Sequence, residues 1–282
     1  MKIDAHQHFW SIQRGDYGWL TPDLEPLYKD FAPSDLQPLL TSNGIDGTVL
    51  VQAAPTVAET HYMLSLANDN AFVKGVVGWV DFEDNEVLKT ISELARSKKL
   101  VGIRPMIHDI ADVDWMLRDQ FTPVYQHLTK ENLVFDALTR PVHLSNLKKL
   151  IERHPDLTMV IDHASKPEIA IGEIKGWATQ MAEIAATGNA SVKLSGMVTE
   201  AATRWTTENL QPYVDHLLEH FGPGRMIWGS DWPVCTLASS YARWCDTTNT
   251  LLSDLNETEK SNILGGNAIR VYNLEIGTVY SA

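Results

Sequence analysis

Short apolar runs alternate along the chain with longer stretches in which apolar residues recur at helical spacing. A run such as TVLV at 48–51 is typical of a buried parallel strand, because β-branched side chains suit that environment. The stretch NEVLKTISELARSK at 85–98 instead places its apolar residues on one face of a helix. Strands are predicted at 2–5, 47–52, 74–80, 100–104, 133–138, 158–163, 190–195 and 226–231. Helices are predicted at 34–40, 56–70, 85–98, 112–130, 144–154, 174–187, 210–221, 244–255 and 257–272.

Eight strands alternating with helices predict an α/β protein, and eight is the number of strands that closes a (β/α)8 barrel. A doubly wound open sheet is the structural alternative, but the glycine-rich turn of dinucleotide-binding proteins is absent after the first strand. The 282 residues fit one barrel domain over 1–282. Residues 11–33 form a long aromatic loop after the first strand, and such a length is typical of a segment that covers a site.

Composition narrows the classes of partner. The formal net charge of −13 argues against nucleic acid, because phosphate binding needs clustered lysine and arginine. No apolar run approaches the ~20 residues that span a bilayer and no leader peptide is evident, so we expect no membrane partner and a cytoplasmic location. The two cysteines, Cys235 and Cys245, fit a reducing compartment, and a disulfide between them stays open. The oligomeric state is open too, with a homo-oligomer as one outcome.

Ionisable residues gather at the carboxyl ends of the predicted strands, where barrel enzymes place their catalytic groups. His6 and His8 follow the first strand, and residues two apart share a face of a strand, so both imidazoles can converge on one metal ion. Alone, such a pair is more often solvated or hydrogen bonded. The other strand ends carry Arg104, Asp136, Asp162, His163, Lys193, Ser195, Ser230 and Asp231. So many charges at a barrel mouth need partners or a ligand, and the set therefore predicts an active site.

Three motifs at strands one, six and eight carry a resemblance to a known family. DAHQHFW begins at Asp4, IDH ends at His163, and WGSDWP contains Asp231. With the loop motif DYGWL and the closing GGNAIRVYNL, they resemble the amidohydrolase superfamily, within it the branch of fuconolactonases and related lactone hydrolases. The resemblance implies a distorted (β/α)8 TIM barrel that hydrolyses a sugar lactone of the L-fuconolactone or L-rhamnonolactone type to the aldonic acid. By the same resemblance His6 and His8 match metal ligands, Asp231 matches the catalytic aspartate, and His163 matches the histidine of strand six.

Two positions depart from the metal-binding patterns of that family. Relatives with two metal ions carry a carboxylated lysine or a glutamate at strand four, where this chain has Arg104, and a cation cannot bridge metals. Many relatives with one metal end strand five with a histidine, where this chain has Asp136 nearby. One divalent ion, zinc or manganese, on His6, His8 and Asp231, with or without His163, is therefore one expectation, and a site that works without metal is the other.

Ester hydrolysis requires an activated water, stabilisation of the developing oxyanion and protonation of the leaving alkoxide. We expect Asp231 to act as the general base. We expect His6, His8, His163 and Arg104 to polarise the lactone carbonyl, directly or through the metal. The residues expected to contact the sugar are Trp10, Tyr17, Trp19 and Trp232 by stacking, and His108, Asp136, Lys193 and Ser195 through its hydroxyls.

Two other functions stay open at this point. Relatives with the same fold include metal-dependent decarboxylases, so an enzyme acting on an aromatic or dicarboxylic acid is the alternative. A noncatalytic ligand-binding barrel is the third hypothesis, and the retention of Asp231 with both N-terminal histidines disfavours it. A serine hydrolase is disfavoured because the GxSxG motif of that class is absent.

Overall fold

The computed structural model describes residues 1–188 and 190–276. In that part of the chain eight strands form one sheet whose order follows the sequence, and each neighbouring pair is parallel. The strands are β1 Ile3–Gln7, β2 Gly47–Val51, β3 Val73–Gly78, β4 Leu100–Ile103, β5 Val134–Ala137, β6 Met159–Ile161, β7 Ala190–Leu194 and β8 Met226–Trp228. The predicted distorted (β/α)8 barrel is confirmed.

Helices surround the sheet and bury their apolar faces against it. In the helix that follows β5, Leu144, Leu147 and Ile151 are all buried, at the spacing of one helix face. The helices of the described residues are α1 Pro33–Asn43, α2 Val57–Asp69, α3 Val87–Leu94, α4 Thr122–Lys130, α5 Leu144–Arg153, α6 Lys175–Ala186, α7 Met197–Glu200, α8 Thr207–His220, α9 Tyr241–Leu251, α10 Glu257–Ser261 and α11 Asn267–Val271. The helix predicted over 112–130 is α-helical only in α4, and short 3-10 turns precede it.

Several strands end at other residues than the pattern predicts. β6 ends at Ile161 and β8 at Trp228, so His163 and Asp231 lie beyond the hydrogen-bonded ladder. β1 instead continues past Ala5 and includes His6. The strands stop where polar side chains turn towards the barrel mouth, and hydrophobicity alone does not mark that point.

β1 and β8 meet at the segment that carries Asp231. The backbone N–H of Asp231 donates to the carbonyl of His6 at 2.7 Å, and that of His8 donates to the carbonyl of Trp232 at 2.7 Å. Gly229 allows this approach, because a Cβ there would lie 2.6 Å from the Cβ of His6. Closure of the barrel therefore fixes Asp231 against both histidines.

Two apolar clusters fill the fold, one between sheet and helices and one inside the barrel. Alternate residues of a strand share a face, which separates the two clusters along each strand. The inner cluster contains Ile3, Ala5, Val49, Val51, Val77, Val101, Val134, Val160 and Ile227. Tyr272 and Leu274, just after α11, pack against it. These two residues thus complete the barrel interior.

The aromatic loop is tied to the barrel at two points. Trp10 and Phe31 exchange backbone hydrogen bonds of 3.1 and 2.9 Å, which bring the two ends of the loop together. Trp19 donates its indole N–H to the carbonyl of Ala53, after β2, at 2.7 Å. The rings of Trp10 and Trp19 meet edge to face at 5.3 Å. These contacts bring the loop to the carboxyl ends of the first two strands.

No helix among the described residues is long and apolar enough to cross a membrane. Cys235 and Cys245 are both free, so the disulfide left open by the sequence is not formed. Burial raises the pKa of the Cys235 thiol well above its usual value, which keeps the thiol protonated and unreactive.

Candidate active site

Three imidazoles surround the carboxylate of Asp231 at the mouth of the barrel. Oδ1 of Asp231 lies 3.2 Å from Nε2 of His8, 3.7 Å from Nε2 of His6 and 3.9 Å from Nε2 of His163. All four side chains are buried. Because an ionised carboxylate removed from water needs compensating partners, the cluster is a polar site built into the apolar barrel. The structure brings together four residues that the sequence placed at separate strand ends.

The hydrogen bonds of His8 define its tautomer. Nδ1 lies 2.8 Å from the carbonyl oxygen of Val51, which can only accept, so Nδ1 carries a proton. Neutral His8 therefore turns the lone pair of Nε2 towards Oδ1 of Asp231, 3.2 Å away. Two acceptors that face each other in this way need a proton on Nε2 or a cation bound by both. His8 and Asp231 thus form a site that can bind a proton or a cation between Nε2 and Oδ1.

A left-handed turn after β6 aims His163 at Asp231. His163 has φ +51°, and Asp231 has φ +57°, values that are uncommon outside glycine and that cluster at functional sites. Gly196 packs against the His163 ring, since a Cβ there would lie 2.5 Å from Nδ1. The hydroxyl of Ser195 lies 2.9 Å from the same nitrogen. Ser195 therefore orients the imidazole, and its expected contact with a substrate hydroxyl stays a prediction.

Arg104 brings a fixed positive charge beside the imidazoles. Its Nε and Nη2 donate to Oε1 of Gln52 at 3.1 and 2.7 Å, and Nη2 also donates to the Gln52 carbonyl. Nη1 lies 3.3 Å from Oδ2 of Asp162 and 3.3 Å from Nε2 of His6. These bonds hold the guanidinium in one orientation.

Lys193, Asp136 and Asp162 form a buried ionic network behind His6. Nζ of Lys193 lies 2.5 Å from Oδ2 of Asp136 and 2.9 Å from Oδ1 of Asp162, and none of the three side chains is exposed. The hydroxyl of Tyr272 donates to Asp136 at 2.8 Å. The polar atoms of Lys193 and Asp136 are thus paired inside the barrel, and their expected contacts with a sugar stay a prediction.

Burial and neighbouring charges set the protonation states of the cluster. Burial lowers the pKa of His6 well below its usual value, and Lys193 lowers it further. Burial likewise lowers the pKa of His163 to about 4. For Asp231 burial raises the pKa, but the nearby imidazoles, His163 foremost, outweigh it and hold the pKa below its usual value. At neutral pH the site contains an ionised carboxylate beside neutral His6 and His163.

These groups open into a cavity of about 240 Å³, which we call the active-site cavity. It is lined by Trp19, Ala53, Met106, Leu138 and Val234 on its apolar side and by His8, Arg104, His108, Asp109, His163, Lys166 and Asp231 on its polar side. A neighbouring cavity of about 400 Å³ shares Met106 and Asp109 with it, but its described lining contains no histidine. The smaller cavity is therefore the candidate active site.

The chain matches known proteins over nearly its whole length. The family described as amidohydrolase matches residues 3–274. The chain belongs to the amidohydrolase family. It is 41% identical over 280 residues to an L-fucono-1,5-lactonase of Burkholderia ambifaria, covering 97% of this amidohydrolase and 96% of that protein. This membership makes the chain an enzyme of the hydrolase class.

Two proteins of Burkholderia multivorans are also similar to this amidohydrolase. An L-fucono-1,5-lactonase from that organism is 34% identical over 292 residues, which cover 97% of this chain and 96% of that protein. A crystal structure of an amidohydrolase from the same organism, with bound zinc, is 34% identical. It superposes with a TM-score of 0.92 over 98% of this chain and 100% of that one. The barrel and its loops are thus shared with a solved relative.

The cluster around Asp231 fits one divalent metal ion. In this amidohydrolase, ligand atoms of His6, His163 and Asp231 lie within 4.8 Å of one another. A tetrahedral ion with bonds of about 2.1 Å spaces its ligand atoms roughly 3.4 Å apart. The separations of 3.2 to 3.9 Å from Oδ1 of Asp231 are close to that spacing. His163 therefore joins His6, His8 and Asp231 as a candidate ligand, and imidazole with carboxylate suits zinc or manganese.

The residues predicted to contact substrate divide into two groups. Trp19 and His108 line the active-site cavity of the amidohydrolase. Trp10, Tyr17 and Trp232 are buried in the packing between the aromatic loop and the barrel, and they do not line the cavity. Aromatic composition could not separate these groups, because a loop that folds onto the barrel uses the same side chains for its own core.

The structure adds cavity residues that the sequence did not single out. Met106, Leu138 and Val234 supply apolar wall, and Lys166 and Asp109 supply charge. Each follows a barrel strand by only a few residues in this amidohydrolase. Distance from a strand end was therefore the signal that could have found them, and side-chain type was not.

Proposed function

We propose that this amidohydrolase hydrolyses a monomeric sugar lactone, of the L-fucono-1,5-lactone or L-rhamnonolactone type, to the aldonic acid. Its likeness to two L-fucono-1,5-lactonases over nearly the whole chain supports this class of reaction. The observation that carries the proposal is the ionised carboxylate of Asp231, which three imidazoles surround at the edge of the cavity. A volume of about 240 Å³ is below the ~300 to 1,000 Å³ of sites for drug-sized ligands, so it suits one sugar ring.

Asp231 accepts a proton from the water that attacks the lactone carbonyl. Its lowered pKa keeps it ionised and available at neutral pH. The same low pKa makes the protonated form a strong acid, so it transfers the proton to the ring oxygen when the ester bond breaks. One carboxyl group thus serves first as base and then as acid, and it returns to its starting state.

Arg104 and His163 stabilise the negative charge that develops on the carbonyl oxygen, and His8 does so only with a proton on Nε2. All three line the cavity beside Asp231. The bonds from Arg104 to Gln52 hold the guanidinium before substrate arrives, so little reorganisation is needed as charge develops. His6 is set further back, between Arg104 and Lys193, and its neutral ring keeps the cluster from accumulating positive charge.

A single divalent ion would be held by His6, His163 and Asp231, with His8 alongside. Such an ion supplies a Lewis acid for the lactone carbonyl. Arg104 already provides a fixed positive charge within reach of the same cluster. We therefore propose that activity depends on both sources of charge, and that removing the ion lowers turnover without abolishing it.

The proposal is tested by proton release in weakly buffered solution, over a panel of aldonolactones and aromatic lactones, with and without chelator. We expect acidification well above the spontaneous rate for an aldonolactone, since each turnover yields an ionised acid. A panel in which no lactone is hydrolysed faster than in buffer would refute the proposal. Release of carbon dioxide from an aromatic acid would support the decarboxylase alternative.

A further inference from the structure

The turn that follows β6 is left-handed over four consecutive residues. His163, Ala164, Ser165 and Lys166 have φ values of +51°, +49°, +59° and +52°. None of them is glycine, and each such residue costs roughly 1 kcal/mol or more. Such backbone conformations persist only where the surrounding structure stabilises them, and they are common at functional sites. Here the turn delivers two side chains to the active-site cavity, His163 at its start and Lys166 at its end.

Lys166 is held at the cavity wall by an ion pair. Its ammonium group contacts Oε1 of Glu200, the last residue of α7, and the two side chains are 18% and 22% exposed. An ammonium has three donors, and a single carboxylate contact leaves donors for a ligand. Because Glu200 balances the charge, the pair presents hydrogen-bond donors without attracting anions strongly.

His108 supplies an acceptor on the same polar wall. Its Nε2 lies 3.0 Å from Oδ2 of Asp109, and a carboxylate at this distance favours the tautomer with the proton on Nε2. Its Nδ1 is buried and has no hydrogen-bond partner among the described residues. Burial first, and Lys166 and other cations next, lower the pKa of His108 to about 3, so the ring is neutral and Nδ1 keeps its lone pair. A buried acceptor without a partner is costly unless a ligand satisfies it.

We propose that Lys166 and His108 recognise ring hydroxyls of the substrate, and that this pair selects polyhydroxylated lactones over plain ones. A hydroxyl donates and accepts at once, so it satisfies the Lys166 donor and the His108 acceptor together. Glu200 is a positioning residue that holds the ammonium in place. The inference rests on the proposed lactone hydrolysis and names the groups that read the sugar.

The test compares kcat/KM for an aldonolactone and for δ-valerolactone, which has the same ester ring without hydroxyls. A charged hydrogen bond contributes enough to change kcat/KM by about 10- to 100-fold. Lys166→Met is expected to lose that factor with the aldonolactone and less than about threefold with δ-valerolactone, because a site built for a hydroxyl discriminates only when the hydroxyl is present. Glu200→Gln keeps the Lys166 ammonium as a donor but removes its ion pair. We therefore expect a smaller loss of kcat/KM with the aldonolactone, mainly through a higher KM. His108→Leu should again affect only the aldonolactone.

Lys148→Met serves as the matched control. Lys148 on α5 pairs with Glu183 on α6 at 3.3 Å, and neither residue lines the active-site cavity. It is expected to leave both rates unchanged, and a thermal melt of each variant checks folding. Equal losses on both lactones in Lys166→Met, or no loss on either, would overturn the inference. If the unaltered enzyme hydrolyses neither lactone, the proposed function itself fails. The two failures are therefore distinct.

Discussion

Replacing Asp231 with asparagine tests the general base most sharply. The substitution keeps the shape of the side chain but removes the proton acceptor at Oδ1, the atom that faces all three imidazoles. General acid and base catalysis contributes typically ~10² to 10⁴-fold, and Asp231 is assigned both transfers, so we expect kcat to fall by at least about 10²-fold. Folding should be preserved, because the change removes a buried charge and the neighbouring His6 and His163 are neutral.

The assay is the initial rate of proton release at saturating aldonolactone, corrected for spontaneous hydrolysis. Asp112→Asn is the control, since Asp112 is an exposed carboxylate bound to Arg118 at 2.8 Å, away from the cavity. It should retain full turnover. A thermal melt confirms that both variants fold. Near-normal kcat in Asp231→Asn would refute the assignment of Asp231 as the base, whatever its contacts.

The same geometry leads to three other predictions. Gly196→Ala should lower kcat by about 10- to 100-fold, because its Cβ would lie 2.5 Å from Nδ1 of His163 and displace the ring. The control is Gly222→Ala, which is also at positive φ but has nothing within 4 Å of its Cβ, so it should destabilise the fold without lowering kcat. Equal losses of activity in the two variants would contradict this interpretation. His163 should add no limb to the pH profile of kcat/KM between neutral pH and about 4, since it is neutral above its lowered pKa and gains a proton only below it. A limb near pH 6.5 that is lost in His163→Gln would contradict the assigned burial. Lys193→Met should destabilise by ~3 to 5 kcal/mol in denaturant unfolding, because it leaves Asp136 buried without its cation and Asp162 with Arg104 alone. A stable variant with only a raised KM would instead support the substrate contact predicted from sequence.

The barrel and the convergence of its strand ends followed from periodicity and spacing. Apolar runs separated by helical stretches predict eight parallel strands, and the ends of parallel strands meet at one edge, so His6, His8, His163 and Asp231 are expected to lie together. The resemblance of the motifs to a family added the reaction class. From sequence, His163 could be named only as an optional metal ligand beside His6, His8 and Asp231, because it reaches Asp231 through a turn that the sequence does not reveal.

Several residues that were expected to contact substrate do not line the active-site cavity. Asp136 and Lys193 lie in strands at positions that face the barrel interior, and whether an interior charge meets substrate or another charge depends on its height along the strand. That height follows from register, which one sequence does not fix. Trp10 and Trp232 are buried in loop packing, which the sequence could not separate from ligand stacking because both use the same side chains. Lys166 was missed because its place in the cavity depends on four left-handed residues.

Isotope incorporation tests whether the enzyme hydrolyses a lactone by attack of water on the carbonyl carbon. The enzyme is incubated with an aldonolactone in H₂¹⁸O, and the aldonate is followed by mass spectrometry against a buffer control. Attack of an activated water on the carbonyl predicts one ¹⁸O in the carboxylate of each product molecule. We expect the unaltered enzyme to form this labelled aldonate far faster than buffer does, and Asp231→Asn to form it at no more than about a hundredth of the rate of the unaltered enzyme. If the unaltered enzyme formed labelled aldonate only at the spontaneous rate, enzymatic hydrolysis of the lactone by an activated water would be contradicted.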